Sequence, residues 1–144
     1  MNRQEFIKVC GLSCAGLIST SLLLQGCAGT QYMSAEINGD FMEIPLSAFS
    51  TENSSGFRDY LVVENSRLSY PIAVYRHNEN NYTALLMRCT HQGTELRVLG
   101  DRLECPAHGS EFTNNGAVQS GPADNELRTF PVLVEPEILK LDLR

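Results

Sequence analysis

The chain of 144 residues has no tryptophan, only three histidines, and 11 basic residues against 17 acidic ones, which gives a formal net charge of -6. This shortage of basic residues argues against nucleic acid as a partner, because binding to a phosphate backbone depends on clustered lysine and arginine. The sequence also has no glycine-rich phosphate-binding motif and no recognisable Ser-His-Asp order. With so few histidines in the chain, the position of each one is informative.

Cysteine is scarce too, with five residues in all, and three of them fall within residues 1–27. This stretch begins with the basic residues Arg3 and Lys8, continues with a mostly apolar run over 9–24, and ends in a Leu-Gln-Gly-Cys sequence at Cys27. The pattern predicts a signal peptide over 1–27 with a lipoprotein cleavage box, at which Cys27 becomes lipidated. The run is shorter than the roughly 20 residues that a spanning helix needs, but an uncleaved membrane anchor stays an alternative.

The two remaining cysteines pair with two of the histidines in short boxes. The first box reads Cys89-Thr90-His91, and the second reads Cys105-Pro106-Ala107-His108. Two thiolates and two imidazoles suit a mixed iron-sulfur centre, in which neutral nitrogen ligands make the cluster easier to reduce than four thiolates would. A structural zinc site is the alternative that we consider least favoured, because each box mixes the two residue types, whereas zinc fingers of this composition usually group them.

Both boxes continue with glycines, and Gly116 and Gly121-Pro122-Ala123 follow the second one. On these residues the region 58–144 resembles a Rieske 2Fe-2S protein, most specifically over 89–123. The resemblance implies a 2Fe-2S cluster in which one iron is bound by two cysteines and the other, nearer the surface, by two histidines. The residues concerned are Cys89 and Cys105 for the first iron, and His91 and His108 for the second.

The same resemblance assigns roles to three further residues. Ser110 is expected to donate a hydrogen bond to the cluster, Phe112 stands where high-potential members carry a tyrosine, and Pro122 belongs to a loop that covers the cluster. Quinol-oxidising members commonly join their two ligand loops with a disulfide, but here those positions hold Thr94 and Ala107. The resemblance therefore implies that packing and hydrogen bonds alone hold the two loops.

The pattern of the remaining chain predicts an all-β domain. Short runs rich in Val, Ile, Leu and Tyr alternate with turn-forming residues, which is typical of strands; they lie at 60–64, 70–76, 82–87, 130–134 and 138–143. Between the boxes, Gly100-Asp101 predicts a hairpin turn. We expect an antiparallel β-sandwich or barrel base with an inserted cluster-binding part over about 87–123, the Rieske domain covering 37–144. Residues 28–36 are expected to be a tether of roughly 30 Å.

Together these features predict a membrane-anchored one-electron carrier that is exported to the periplasmic side of a bacterial membrane. Residues 3–8 resemble a twin-arginine export signal in which glutamine replaces the second arginine, and an ordinary secretory signal is the alternative. Its expected partners are the membrane, through the lipid anchor, and an unidentified redox protein or quinol. The alternatives are the Rieske subunit of a quinol:cytochrome or arsenite-oxidase-like oxidoreductase and the ferredoxin component of an oxygenase.

Overall fold

The computed structural model describes residue 30 and residues 32–51 and 56–144. In this part of the chain nearly all regular structure is β-strand, which confirms the predicted all-β class. A 3-10 helix at Leu46–Phe49 lies between the third and fourth strands. The strands are β1 (Tyr32–Ser34), β2 (Glu36–Asn38), β3 (Phe41–Pro45), β4 (Tyr60–Glu64), β5 (Ile72–Asn78), β6 (Asn81–Leu86), β7 (Arg97–Leu99), β8 (Arg102–Glu104), β9 (Glu111–Thr113), β10 (Val118–Ser120), β11 (Thr129–Phe130), β12 (Val132–Val134) and β13 (Ile138–Asp142).

A five-stranded sheet with the order β1-β4-β5-β6-β11 forms the central layer of the described domain. Its inner strands are continuous apolar runs because both of their faces are covered. In β4, for example, Leu61 and Val63 belong to one core, and Val62, which points the opposite way, belongs to the other. The apolar run at 61–63 in β4 therefore follows from burial on both sides of the sheet.

Each face of the central sheet packs against a different four-stranded sheet. On one side lies the sheet β12-β13-β3-β2, which contributes the buried residues Met42, Ile44, Leu139 and Leu141. On the other side lies the sheet β10-β9-β8-β7, which contributes Val98, Leu103 and Phe112. Because this second sheet is formed between β6 and β11 in the chain, it is the predicted insertion into the sandwich.

The inserted sheet contains the predicted hairpin between the two boxes. Strands β7 and β8 pair antiparallel with Val98 opposite Leu103. Gly100 takes a φ of 63° at the turn, in the left-handed region that glycine adopts without steric cost. The hairpin returns the chain to the end of the sheet where it began, so that both boxes lie at the same end.

Two expectations from the sequence differ from the structure. The tether predicted over 28–36 overlaps the domain. Within it, Tyr32–Ser34 forms a strand that pairs in parallel with β4, and β2 begins at Glu36. The strand predicted over 130–134 is divided between two sheets, since β11 ends at Phe130 and β12 begins at Val132. Pro131, between them, has no N–H group with which to continue a ladder of hydrogen bonds.

Candidate metal centre

The first box folds into a tight turn at the end of the inserted sheet. The Gly93 N–H donates to the Cys89 carbonyl at 2.8 Å, and the Cys89 N–H donates to the Thr94 carbonyl at 2.8 Å. Gly93 has a φ of +77°, and a Cβ added there would lie 3.3 Å from two guanidinium nitrogens of Arg88. The left-handed backbone conformation therefore favours glycine at this position, and a larger residue would also require the Arg88 guanidinium to shift slightly.

The second box repeats this turn with the same hydrogen bonds. The Gly109 N–H donates to the Cys105 carbonyl at 2.9 Å, and the Cys105 N–H donates to the Ser110 carbonyl at 2.8 Å. Gly109 has a φ of +78°. The histidine stands two residues after the cysteine in one box and three residues after it in the other, yet the backbone frame is the same. Two equivalent turns thus present one cysteine and one histidine each.

The two residue types lie at different depths. Cys89 is 1% exposed and Cys105 is 0% exposed, whereas His91 and His108 are both exposed. The two imidazole rings lie next to each other, with their centroids 5.0 Å apart and their planes at 88°. The sulfurs are therefore shielded from water, and the ring nitrogens are accessible at the surface.

The surroundings of Cys105 favour a thiolate, which is the form that binds metal. Burial raises the pKa of the Cys105 thiol, but hydrogen bonds from the backbone N–H groups of His108 and Ala107 to its sulfur lower it. The Cys89 side chain and the Thr94 hydroxyl also hydrogen-bond to this sulfur, and together these contacts hold the pKa of Cys105 below its usual value. Both cysteines also belong to the same buried apolar cluster.

This donor set fits a 2Fe-2S cluster with two kinds of iron. The four side chains are arranged as a buried sulfur pair and an exposed imidazole pair, as two irons with different ligands require. Both cysteines are free of disulfides. In the described ranges, no three or more His, Cys, Asp or Glu residues are grouped to hold a single metal ion.

A third loop, residues 121–127, contacts both boxes. The Ala123 N–H donates to Ser110 Oγ at 3.0 Å, and the Thr90 hydroxyl donates to the Asn125 carbonyl at 2.6 Å. Pro122, in the same loop, is exposed. The loop therefore links the turn of the first box to Ser110, which ends the turn of the second box.

The structure brings two of the three predicted surrounding residues into the same buried region as the cysteines. Ser110 and Phe112 are both 0% exposed, and Phe112 belongs to the apolar core that contains both cysteines. Pro122 is next to Ala123, which contacts Ser110, but its own side chain lies at the surface. The predicted lipidation site, Cys27, is outside the described residues.

Sequence reasoning did not assign a role to two residues that contact the boxes. The Tyr70 hydroxyl donates to the Gly93 carbonyl at 2.7 Å, and nothing in the local sequence around Tyr70 indicates this. Thr94, whose carbonyl accepts the Cys89 N–H at 2.8 Å, could have been found. It lies five residues after Cys89, as Ser110 lies five residues after Cys105.

No helix within residues 30, 32–51 and 56–144 combines the length and hydrophobicity needed to cross a membrane. The segment 1–27, for which the sequence predicts a signal peptide and lipid anchor, lies outside these ranges.

Comparison with known proteins identifies the family of this chain. Residues 50–131 match the family model described as the Rieske [2Fe-2S] domain. Among curated proteins, the iron-sulfur subunit of the cytochrome b6-f complex of Chlorobaculum tepidum is 32% identical over 66 residues, which are 44% of this chain and 36% of that protein. The oxygenase component of dicamba O-demethylase from Stenotrophomonas maltophilia is 33% identical over 76 residues, or 46% of this chain and 22% of that protein. The matches thus cover less than two thirds of either relative's length.

Among solved structures, the plasma membrane Rieske protein PetC3 of the cyanobacterium Synechocystis PCC 6803 has a similar fold. The TM-score is 0.51 at 26% sequence identity, and the match covers 58% of this chain and 86% of that one.

Proposed function

Since the chain belongs to the Rieske [2Fe-2S] domain family, which implies a 2Fe-2S cluster and electron transfer, we propose that it is a membrane-anchored one-electron carrier. Cys89 and Cys105 would hold one iron of the cluster, and His91 and His108 would hold the other. The observation that carries this assignment is the pairing of two buried sulfurs with two exposed, adjacent imidazoles. When bound, the cluster accepts one electron and returns it.

The protein residues around this site have separate tasks. The buried cysteines lie within an apolar core, which keeps water away from the thiolates and limits loss of the metal. The exposed imidazoles bring the metal-binding end of the domain to the surface, where a redox partner or a quinol can touch it. A hydrogen bond to a ligand sulfur stabilises the state with more negative charge, and we expect the buried Ser110 to provide one.

The proposed attachment to the membrane depends on the N-terminal sequence. The Leu-Gln-Gly-Cys sequence at 24–27 would be cleaved before Cys27, whose lipid would anchor the domain on the periplasmic side. In the structure, β1 begins at Tyr32, so the free tether between Cys27 and the domain would be about four residues. From Cys27 to Tyr32 the chain makes five residue steps, so at roughly 3.5 Å for each step the domain would lie at most about 18 Å from the lipidated residue.

A second candidate function is that of the iron-sulfur subunit of a quinol-oxidising complex. It is supported by the match to the cytochrome b6-f iron-sulfur subunit. A ferredoxin that feeds an oxygenase is a third candidate, supported by the match to an oxygenase component. Purification of the lipid-anchored protein from a membrane extract distinguishes a subunit from a free carrier. A subunit co-purifies with a cytochrome or another large redox protein, whereas a free carrier is recovered alone.

The experiment that tests the ligand assignment uses the full chain after anaerobic reconstitution with iron and sulfide. We expect two irons and two sulfides per chain, and a redox titration with a one-electron slope. His91→Ala and His108→Ala should each abolish the Rieske spectrum, because each removes half of the protein ligands of one iron. The matched control is His77→Ala, which changes the third histidine, an exposed residue on β5 whose Nε2 lies 2.8 Å from Thr83 Oγ1. Loss of the spectrum in that control would contradict the assignment.

A further inference from the structure

A cavity lies at the end of the inserted sheet opposite to the two boxes. Its volume is about 330 Å³, and it is bordered by the start of β4, the end of β5, the turn between β7 and β8, and the turn after β9. Strands β7 and β8 connect their turn, which contains Gly100 and Asp101, to the two boxes, so the cavity is separate from the metal centre. Small-molecule sites have volumes of roughly 300–1,000 Å³, and this cavity is therefore large enough for a small ligand.

The hydroxyl group of Tyr75 lies in the wall of this cavity without a partner. Tyr75 is 2% exposed, and it belongs to the apolar core on that side of the central sheet. Among the residues that the structure describes, none forms a hydrogen bond with Tyr75 Oη, although this oxygen is buried. An unpaired buried hydroxyl destabilises a fold, and phenylalanine would fill the same core without it. The hydroxyl therefore points to a ligand rather than to a role in packing.

Negative charge borders the same cavity. Asp59 and Asp101 both line it, and in the described part of the chain neither carboxylate forms an ion pair or a hydrogen bond. The rings of Tyr60 and Tyr75 lie side by side, with their centroids 5.8 Å apart and their planes at 45°. Carboxylates and the faces of tyrosine rings both attract organic cations. The cavity thus offers two charges, aromatic surface and one hydroxyl oxygen to a positively charged ligand.

The two basic residues at the cavity are engaged elsewhere. The Arg76 guanidinium carbon lies 3.8 Å from the centre of the Phe57 ring, and Arg76 Nε donates to the Tyr82 hydroxyl at 3.3 Å. Neither Phe57 nor Tyr82 borders the cavity, so these contacts direct the Arg76 side chain away from it. His77 Nε2 lies 2.8 Å from Thr83 Oγ1. Neither basic side chain therefore pairs with the carboxylates of the cavity.

We propose that this cavity is a binding site for a small organic cation that carries primary ammonium groups. Asp59 and Asp101 balance its charge, Tyr75 Oη accepts one of its N–H groups, and the ring of Tyr60 covers its methylene groups. A neutral polar ligand would leave both carboxylates unpaired. A metal ion fits less well, because no three His, Cys, Asp or Glu residues are grouped to hold one within residues 30, 32–51 and 56–144. The inference goes beyond the proposed electron transfer and does not depend on it.

Two substitutions remove separate parts of the site. Tyr75→Phe removes the hydroxyl and keeps the ring, and Asp101→Asn removes the charge with little change in shape. The matched controls are Tyr32→Phe on β1 and Asp124→Asn in the loop 121–127, which make the same changes at exposed positions outside the cavity.

The measurement is a calorimetric titration of the reconstituted full chain with 1,4-diaminobutane at low ionic strength. We expect a dissociation constant below about 1 mM. Tyr75→Phe should weaken binding about tenfold or more, because it removes a hydrogen bond to a charged group. Asp101→Asn should also weaken binding, and this loss should shrink as salt is added. The control variants should bind as the wild type does, and all variants should keep the wild-type content of iron and sulfide.

Thermal unfolding separates a ligand site from a packing role. Without the diamine, Tyr75→Phe should melt at the wild-type temperature or above it, since the variant loses an unpaired buried hydroxyl. With the diamine present, the melting temperature of the wild type should rise more than that of the variant, because the ligand stabilises the folded state that binds it more tightly.

Absence of binding at millimolar diamine would overturn the proposal, and so would equal binding of the neutral analogue 1,4-butanediol. Binding of magnesium ions without binding of the diamine would assign the cavity to a metal and overturn it as well. A lowered melting temperature of unligated Tyr75→Phe would show that the hydroxyl has a structural role instead. If that variant does not fold, Asp101→Asn decides the matter, because Asp101 is exposed and an unchanged affinity in this variant would refute the site.

Discussion

Replacement of Ser110 by alanine should both destabilise the domain and lower its midpoint potential. The serine is 0% exposed, and its Oγ accepts the Ala123 N–H at 3.0 Å. Ala123 is itself only 5% exposed, so alanine at 110 leaves a buried N–H group without its acceptor. Leaving such a group unsatisfied costs about 1–3 kcal/mol. For a domain of this size, each kcal/mol lowers the melting temperature by roughly 4 °C, so the expected loss is about 4–12 °C.

The effect of Ser110→Ala on the potential has a separate cause. Ser110 Oγ accepts a hydrogen bond from the Ala123 N–H. Its own hydroxyl proton therefore remains available, and we expect it to be donated to a sulfur of the cluster. Loss of one hydrogen bond of about 1.4 kcal/mol that favours the reduced state lowers the potential of a one-electron couple by about 59 mV.

Urea unfolding of the apo chain and voltammetry of the reconstituted chain measure these two effects independently. Ser120→Ala, which changes an exposed serine on β10, is the matched control for both and should leave each value unchanged. The reasoning is refuted if Ser110→Ala matches the wild type in unfolding free energy, or if it raises the potential.

Other substitutions test separate parts of the structure. Phe112→Tyr should raise the midpoint potential by several tens of millivolts, because it adds a hydroxyl donor to the core that contains both cysteines, and film voltammetry checks this; a lowered potential would contradict it. Gly116→Ala should lower the unfolding free energy of the apo domain by more than about 1 kcal/mol, since the φ is +89° and the added Cβ would lie 2.9 Å from Leu85 Cδ2; an unchanged urea midpoint would count against it. Cys27→Ala should abolish incorporation of radiolabelled palmitate in cells, and equal labelling of the variant would show that the anchor lies elsewhere.

The inner strands of the central sheet, β4, β5 and β6, could be predicted from sequence because their buried parts are apolar on both faces. The run at 60–64 coincides with β4, and the predicted hairpin at Gly100-Asp101 is present with its buried residues Val98 and Leu103 opposite each other. These elements form between residues that lie close together in the sequence, so their side-chain pattern was enough to predict them. The pattern did not reveal that the central sheet separates two cores, because the packing of three sheets depends on contacts between distant parts of the chain.

The errors in the prediction originate in strand pairing. The segment 32–34 carries no strong strand pattern, yet it pairs in parallel with β4, some 30 residues later in the chain. The polar run at 76–81 favours a turn, yet His77 lies on β5, because the turn between β5 and β6 is only two residues long. In both cases a partner strand, rather than the local sequence, determines the conformation.

The candidate site could be located in the sequence because its residue types are rare. Two of only three histidines fall beside two cysteines, and the spacing within each box could be recognised directly. The contacts that hold the turns in place could not be predicted from the sequence. Tyr70 reaches Gly93 from a connection between strands of the central sheet, and no periodicity or motif in the sequence marks such a contact.

The metal and sulfide content of the purified chain tests the central claim most directly. After anaerobic reconstitution, the account predicts two irons and two acid-labile sulfides per chain, with a Rieske-type resonance spectrum on reduction. That content should be lost in His91→Ala and His108→Ala and kept in His77→Ala. One zinc ion per chain with no labile sulfide would contradict the account.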